Sequence, residues 1–272
     1  VGSARDLLPV TVRELRSPEA FLEVVALERA IWGMPEVEVV PKDLLVALVH
    51  EGGLVAGAFL GERMVGFVLG FPTADPGVQH SHMMGVLPEY RDRGLGFALK
   101  RFQRAWCLAR GIERVVWTFD PLRARNANFN LGKLGARSRT YLPDFYGPMG
   151  GVNRGVPSDR LLVEWVLESP EVVARLEGHR PEPETAGLPF ANRVEGAVPL
   201  EARLDVEAPR LLVRIPQDFG AILSRDPALA TRWRQHIREV LSHYLARGFV
   251  VADFARRAGP AYLLVREDDA AG

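Results

Sequence analysis

Arg91, Arg93, Gly94 and Gly96 sit together in one turn, between an apolar run that breaks at Pro88 and a long amphipathic segment. Residues of these types at this spacing bind anions. The first N–H groups of a helix have no acceptor within it and lie at the positive end of its dipole. Glycines there have no Cβ, so an oxyanion can reach those N–H groups. Arginines beside the turn add charge-assisted donors with the geometry of a phosphate. A dinucleotide fingerprint needs a third glycine where Leu99 stands, and a P-loop needs Gly-Lys-Ser/Thr, which the chain lacks. What is left is a pyrophosphate cradle of another kind.

The elements that position this turn follow from periodicity. Residues 10–15 read as a strand, and Ser17-Pro-Glu caps a helix that runs to Trp32 and stops at Gly33. A second helix spans 42–50. Strands at 54–60 and 64–71 flank Gly61-Glu62-Arg63, a hairpin signal, and a third strand runs from about 80 to 86. From Gly94 to Gly111, Leu95, Leu99, Phe102, Trp106 and Ala109 form one helical stripe, with Lys100, Arg101 and Arg104 mostly off it. A strand at 115–119, a short helix at 126–134 and strands near 138–142 and 161–167 follow. Residues 179–199 have the proline density of a linker, and 200–272 read as β-α-β-β. The implied domains are a catalytic one over 1–178, the linker over 179–199 and a C-terminal segment over 200–272.

With 272 residues the chain can bury a large core, and a hydrophobic share of 47% suits a globular protein. Basic and acidic residues number 34 each, which excludes a global field for nucleic acid or an anionic membrane. Residues 91–139 alone hold ten arginines and two lysines against three acids, a net of +9, so the field for an anionic ligand is local. A single cysteine, Cys107, excludes a disulfide scaffold and reads as a small buried hydrophobe. The six histidines show no metal-ligand spacing, so no metal is implied. No apolar run is long enough to span a membrane and the start lacks a signal-peptide core, so a cytoplasmic location is expected.

Val86-x-Pro88-x-Tyr90-Arg91-x-x-Gly94-x-Gly96, with its strand and long helix, resembles the acyl-CoA-binding motif of the GNAT N-acyltransferase superfamily. The resemblance runs from about residue 10 to 167 in element order. It implies an α/β (α+β) fold: a mixed, largely antiparallel central sheet flanked by helices, here with the C-terminal β-α-β-β extension. Asn126, Asn130, Lys133 and Gly135 are similar to a later family segment that packs along the pantetheine arm. There the family's frequent general-acid tyrosine falls on Leu131 and its aromatic on Ala136. The cofactor contacts implied are Met84, Gly85, Val86, Arg91, Asp92, Arg93, Gly94, Leu95, Gly96, Phe97, Asn126 and Asn130. A narrower resemblance is carried by Ser81-His-Met, Trp117-Thr-Phe-Asp-Pro-Leu, Arg125-Asn-Ala, Tyr146-Gly and Ser158-Asp-Arg-Leu-Leu-Val-Glu-Trp165. These look like a branch associated with N-acylamino-acid racemases, whose members are similar to N-succinyltransferases of amino acids.

Acyl transfer from a thioester to an amine needs a neutral amine, donors for the oxyanion and a leaving thiolate. The resemblance implies that the motif strand splays near 84–86, freeing a backbone N–H for the oxyanion in direct attack through a tetrahedral intermediate. A CoA thiol, like a cysteine thiol with pKa about 8.5, leaves with little help. His82 is the first candidate base, because strand alternation puts it, with His80, on the face of Met84 and Val86. Asp120, before Pro121, could collect protons or hold the ammonium, and Tyr141 or Tyr146 could replace the missing acid. Arg139 and Arg160 could grip a carboxylate of substrate or acyl group. Trp117 and Trp165 are core aromatics or pocket walls.

The leading expectation is transfer of a succinyl or acetyl group from acyl-CoA to a small amine, an amino acid, without nucleic-acid or membrane partners and with a homodimer open. The competing readings are an acetyltransferase of protein N-termini or lysines and a CoA-binding module without catalysis. A nucleic-acid face ranks last, since no aromatics interleave with the arginines. The C-terminal segment would favour a small substrate by closing the acceptor site. Its own helix stripe needs a packing partner.

Overall fold

A computed structural model describes residues 10–33, 36–150, 155–256 and 259–267. The chain divides into two compact units, Val1–Val115 with Gly150–Val152 and Val116–Met149 with Asn153–Gly272.

In the first unit, β1 (Val10–Glu14), β2 (Leu54–Leu60), β3 (Arg63–Pro72) and β4 (Val78–Val86) pair antiparallel in that order. Between β1 and β2 come α1 (Pro18–Trp32) and α2 (Lys42–His50), and α3 (Leu95–Leu108) follows β4. The expected signals set the ends of α1. The Ser17 hydroxyl accepts from Ala20 N–H, Pro18 opens the helix, and Gly33 closes it at φ 62°. Phe21, Val24, Leu27 and Ile31 form its buried face. The strands β2 and β3 are buried almost throughout, because helices cover both sides of the sheet: α3 packs against β1 to β4, and α1 against β3 and β4.

In the second unit, β5 (Arg114–Phe119, of which the last four residues belong here), β7 (Arg160–Val166), β6 (Arg137–Leu142), β11 (Phe249–Ala255), β12 (Ala261–Arg266) and β10 (Arg210–Arg214) lie side by side in that order. The remaining elements are α4 (Ala124–Ala127), a π-helical turn (Asn128–Lys133), α5 (Pro170–Leu176), α6 (Phe219–Arg225) and α7 (Pro227–Ala246). Each unit is mixed α/β, with largely antiparallel strands flanked by helices. β10, α7, β11 and β12 supply the β-α-β-β pattern, and α6 and α5 are helices without an earlier signal. The C-terminal strands extend the sheet through Val251 on β11 and Ser138 on β6. The stripe of α7 (Trp233, Ile237, Val240, Leu241, Tyr244) is fully buried, and β6, β9 (Val198–Ala202) and β11 are its partners. Part of the proline-rich stretch is ordered. Phe190 bridges to Leu212, and β8 (Asn192–Glu195) pairs with β9 (Val198–Ala202) in a separate hairpin whose turn holds Gly196 at φ 57°.

Candidate active site

The cradle is built by the turn between β4 and α3. A 3-10 turn at Pro88–Tyr90 leaves the strand, and Asp92 and Gly94 take φ 63° and 79°. Gly94 is the N-cap of α3; it contributes no side-chain cap, and no acid stands in the first turn. The first helical bond runs from Ala98 N–H to Gly94 O at 2.9 Å, so the N–H groups of Leu95 and Gly96 have no acceptor within the helix. A Cβ at Gly94 would meet nothing within 4 Å, so there is open space at the N-cap itself. Leu95, 2% exposed, anchors the helix start, while Gly96 and Phe97 are half-buried. Arg91 donates Nε–H to Val86 O at 3.2 Å, and the Arg93 guanidinium lies 5.4 Å over the Tyr90 ring. Both are exposed, and neither is in a salt bridge among the described residues.

β4 departs from regular pairing at His82. Leu69 pairs with Met83 and Gly70 with Ser81, so His82 is the extra residue of a bulge. Leu69 and Gly70 face opposite sides, so Met83 and Ser81 do too, although they are two apart. The alternation expected to align His80 and His82 with Met84 and Val86 is therefore broken. His80 instead shares the side of Met83. Its ring stacks on Phe71 at 4.9 Å, and the His82 ring lies 5.6 Å from Phe71 and 6.1 Å from His80. Loss of solvation lowers both imidazoles. His80 falls to about 4, helped by repulsion from His82 and Lys100, and both rings are neutral at pH 7. His82 remains exposed. From Met83 to Val86 the ladder to β3 is continuous. Gly85 has a packing reason as well: a Cβ there would stand 2.7 Å from Ile31 and 2.9 Å from Trp32 of α1.

The other side of β4 is polar and buried. Lys100, expected off the helix stripe, is 2% exposed and donates to Ser81 Oγ and Gln103 Oε1, both at 2.9 Å. Gln103 in turn donates to Gln79 Oε1 at 2.7 Å. These acceptors, Ser81 on β4 and Gln103 on α3, explain why a lysine can face the core. Burial brings its pKa down to about 7 and pushes the Cys107 thiol up to about 12.

The remaining candidates lie in the second unit. Asp120 is fully committed: Arg234 of α7 donates to its two oxygens at 2.8 and 2.9 Å, and Leu122 N–H adds a third bond at 2.9 Å. Burial alone would raise its pKa, but Arg234 outweighs that and holds it below the usual carboxylate range. Tyr141 donates to Asp159 Oδ2 at 2.6 Å, and burial together with the Asp159 charge raises its pKa. Arg238 also grips Asp159, at 2.9 and 2.5 Å. Tyr146 is 43% exposed, and its hydroxyl meets Thr118 Oγ1 at 3.0 Å. Arg160 is buried under Tyr146, its guanidinium 5.2 Å from that ring. Arg139 is half-exposed and bound to Glu267 at 2.6 Å. Trp117 is buried edge-on to Trp165 at 6.1 Å.

Asn126 is exposed on α4 and Asn130 is buried in the π-helical turn. Leu131, at the expected place of a tyrosine, has no exposed surface. Trp165 and Arg175 stabilise this stretch by donating to Leu134 O and Gly132 O. Arg234 and Arg238 were not anticipated. Their signal is present in sequence, as two arginines four apart beside the apolar stripe of α7.

Residues 12–134 match the model of the acetyltransferase (GNAT) family. The chain is similar to solved structures at low identity. One is the ribosomal-protein-S18-alanine N-acetyltransferase from Escherichia coli (15% identity, 59% of this chain, 96% of that one, TM-score 0.49). Another is Ard1 from Thermoplasma volcanium (18%, 57% and 95%, 0.46). A third is the PaiA N-acetyltransferase from Thermoplasma acidophilum in complex with coenzyme A (15%, 57% and 98%, 0.43). No curated protein matches. Among the described residues no His, Cys, Asp and Glu cluster could hold a metal ion, and no helix is long and apolar enough to cross a membrane.

Proposed function

We propose that the protein moves an acyl group, succinyl or acetyl, from acyl-CoA to the amine of a small substrate, an amino acid. The observation that carries this reading is the start of α3, where two N–H groups without a helical acceptor, open space at Gly94 and two exposed arginines converge. That donor set fits a pyrophosphate, with Arg91 and Arg93 as its flanking cations. His82 is the base: its imidazole is exposed, and loss of solvation keeps it neutral and able to take a proton from an ammonium at pH 7. Tyr146, with an accessible hydroxyl held by Thr118, is the acid in place of the tyrosine that Leu131 replaces. Asp120 is a structural anion, since Arg234 occupies both its oxygens.

Thiol release from acetyl-CoA and succinyl-CoA, crossed with a panel of L- and D-amino acids and followed by mass spectrometry, tests the reading. Release that depends on an amino acid supports it. Tight CoA binding without release on the whole panel favours the second reading, a CoA-binding module, to which the buried Leu131 lends weight.

A further inference from the structure

We infer that Arg160 is the receptor for a ligand carboxylate, and that the Met149 thioether occupies the carboxylate's place in this structure. Arg160 opens β7 and is 6% exposed. Its Nη1 donates to the Asp159 main-chain carbonyl at 2.9 Å and its Nη2 to Met149 Sδ at 2.9 Å. A thioether is a weak acceptor, and a guanidinium taken this far from water ordinarily pairs with a carboxylate.

The carboxylates nearby are engaged with other partners. Asp120 is taken by Arg234 and Leu122 N–H. Asp159 already receives Tyr141, Asp144 N–H and both donors of Arg238. Asp144 receives the N–H and hydroxyl of Ser158. Arg123 stands 3.7 Å from Asp120, which Arg234 also holds. Among the described residues Arg160 forms no salt bridge with a carboxylate, and its Nη2 is left with the Met149 thioether.

Met149 is well suited to yield. It is half-buried, and its unbranched side chain can swing aside without backbone movement. The loop before it is fixed: Phe145 N–H and Tyr146 N–H bond to the Ser158 carbonyl and hydroxyl. A carboxylate in place of the sulfur would meet Nη2 beneath the Tyr146 ring. This deepens the acyltransferase reading and rests on it: the carboxylate belongs to an amino-acid acceptor or to the far end of a dicarboxylic acyl group.

The test is calorimetry on the full chain with CoA present, comparing L-amino acids with their carboxamides and succinate with succinamide. One acid is expected to bind about 10²-fold or more tightly than its amide. Arg160→Met should reduce the acid to the level of the amide with CoA affinity unchanged, and Arg160→Lys should retain part of the preference. Met149→Ala should keep the preference or tighten the acid, and it stands if Arg160→Met does not fold. Equal affinity of acids and amides in the parent, or a preference that survives Arg160→Met, overturns the inference. Turnover with acetyl- or succinyl-CoA on an amino acid or its amide then names the source: Arg160→Met is silent on the pairs that lack the carboxylate it reads. Should no pair turn over, acyl transfer fails as a reading, while the calorimetry still decides the role of Arg160.

Discussion

Arginine occupies two opposite settings in this protein. At the start of α3, Arg91 and Arg93 are exposed, have no acid among the described residues, and stand beside helix N–H groups without helical acceptors. In the second unit, Arg234 and Arg238 are drawn toward the core by α7 and spend their donors on Asp120 and Asp159. The first setting leaves charge available to a ligand, in water and open to salt screening. The second uses charge to fix the end of β5 and the start of β7 to a helix far along the chain. Arg160 combines them, being buried like Arg234 and, among the described residues, in no salt bridge, like the first pair. Arginine count alone therefore says little about binding; what the guanidinium already holds says more.

The largest effect expected separates chemistry from both settings. His82→Ala should lower the acylation rate about 10²–10⁴-fold while CoA affinity holds, read from kcat and calorimetry together. A rate equal to the parent's moves the base elsewhere. Next is the buried pair. Asp120→Ala leaves Arg234 in the core without its partner and should cost about 3–5 kcal/mol in urea unfolding. Replacing Asp120 and Arg234 together by apolar residues should recover most of that loss, and no recovery would mean that the pair is not the cause.

Smaller effects sharpen the contrast. Raising salt should weaken CoA binding through Arg91 and Arg93, and Arg91→Ala should flatten that dependence. The stability loss of Asp120→Ala should stay nearly constant over the same range. Lys100 offers a test by pH. Its pKa falls from 10.5 unfolded to about 7 folded because burial disfavours the charge. Between those values the unfolded chain holds the proton and the folded chain does not, so stability rises with pH across that window and is lost as pH falls toward 7. In Lys100→Met, unfolding followed from pH 7 to 10.5 should lack that slope.

Much of the fold was legible because its signals are local. Ser17, Pro18 and Gly33 bound α1 by their own backbone chemistry, and Gly94 with the stripe from Leu95 places α3. The cradle was legible for the same reason, since a turn and a helix start need no distant residue. The bulge at His82 was not, because an extra residue is defined by the register of β3 and leaves no mark in the alternation of β4 itself. Lys100 was misplaced on similar grounds: acceptors that permit its burial come from Ser81 on another element. The pairing of Asp120 with Arg234 spans 114 residues, and no spacing rule reaches that far. The hairpin inside the proline-rich stretch was hidden because Pro199 lies within a short strand of a two-stranded hairpin, where a missing N–H does little harm.

The central claim is that acyl-CoA docks its pyrophosphate on the start of α3. Its most direct test is calorimetric titration of CoA into the parent and into Gly96→Val, with circular dichroism to confirm that both are folded. The account expects the parent to bind CoA and the folded variant to lose that binding, because a branched side chain would stand over the donors. Equal CoA affinity in a folded Gly96→Val protein, or none in the parent, would contradict it.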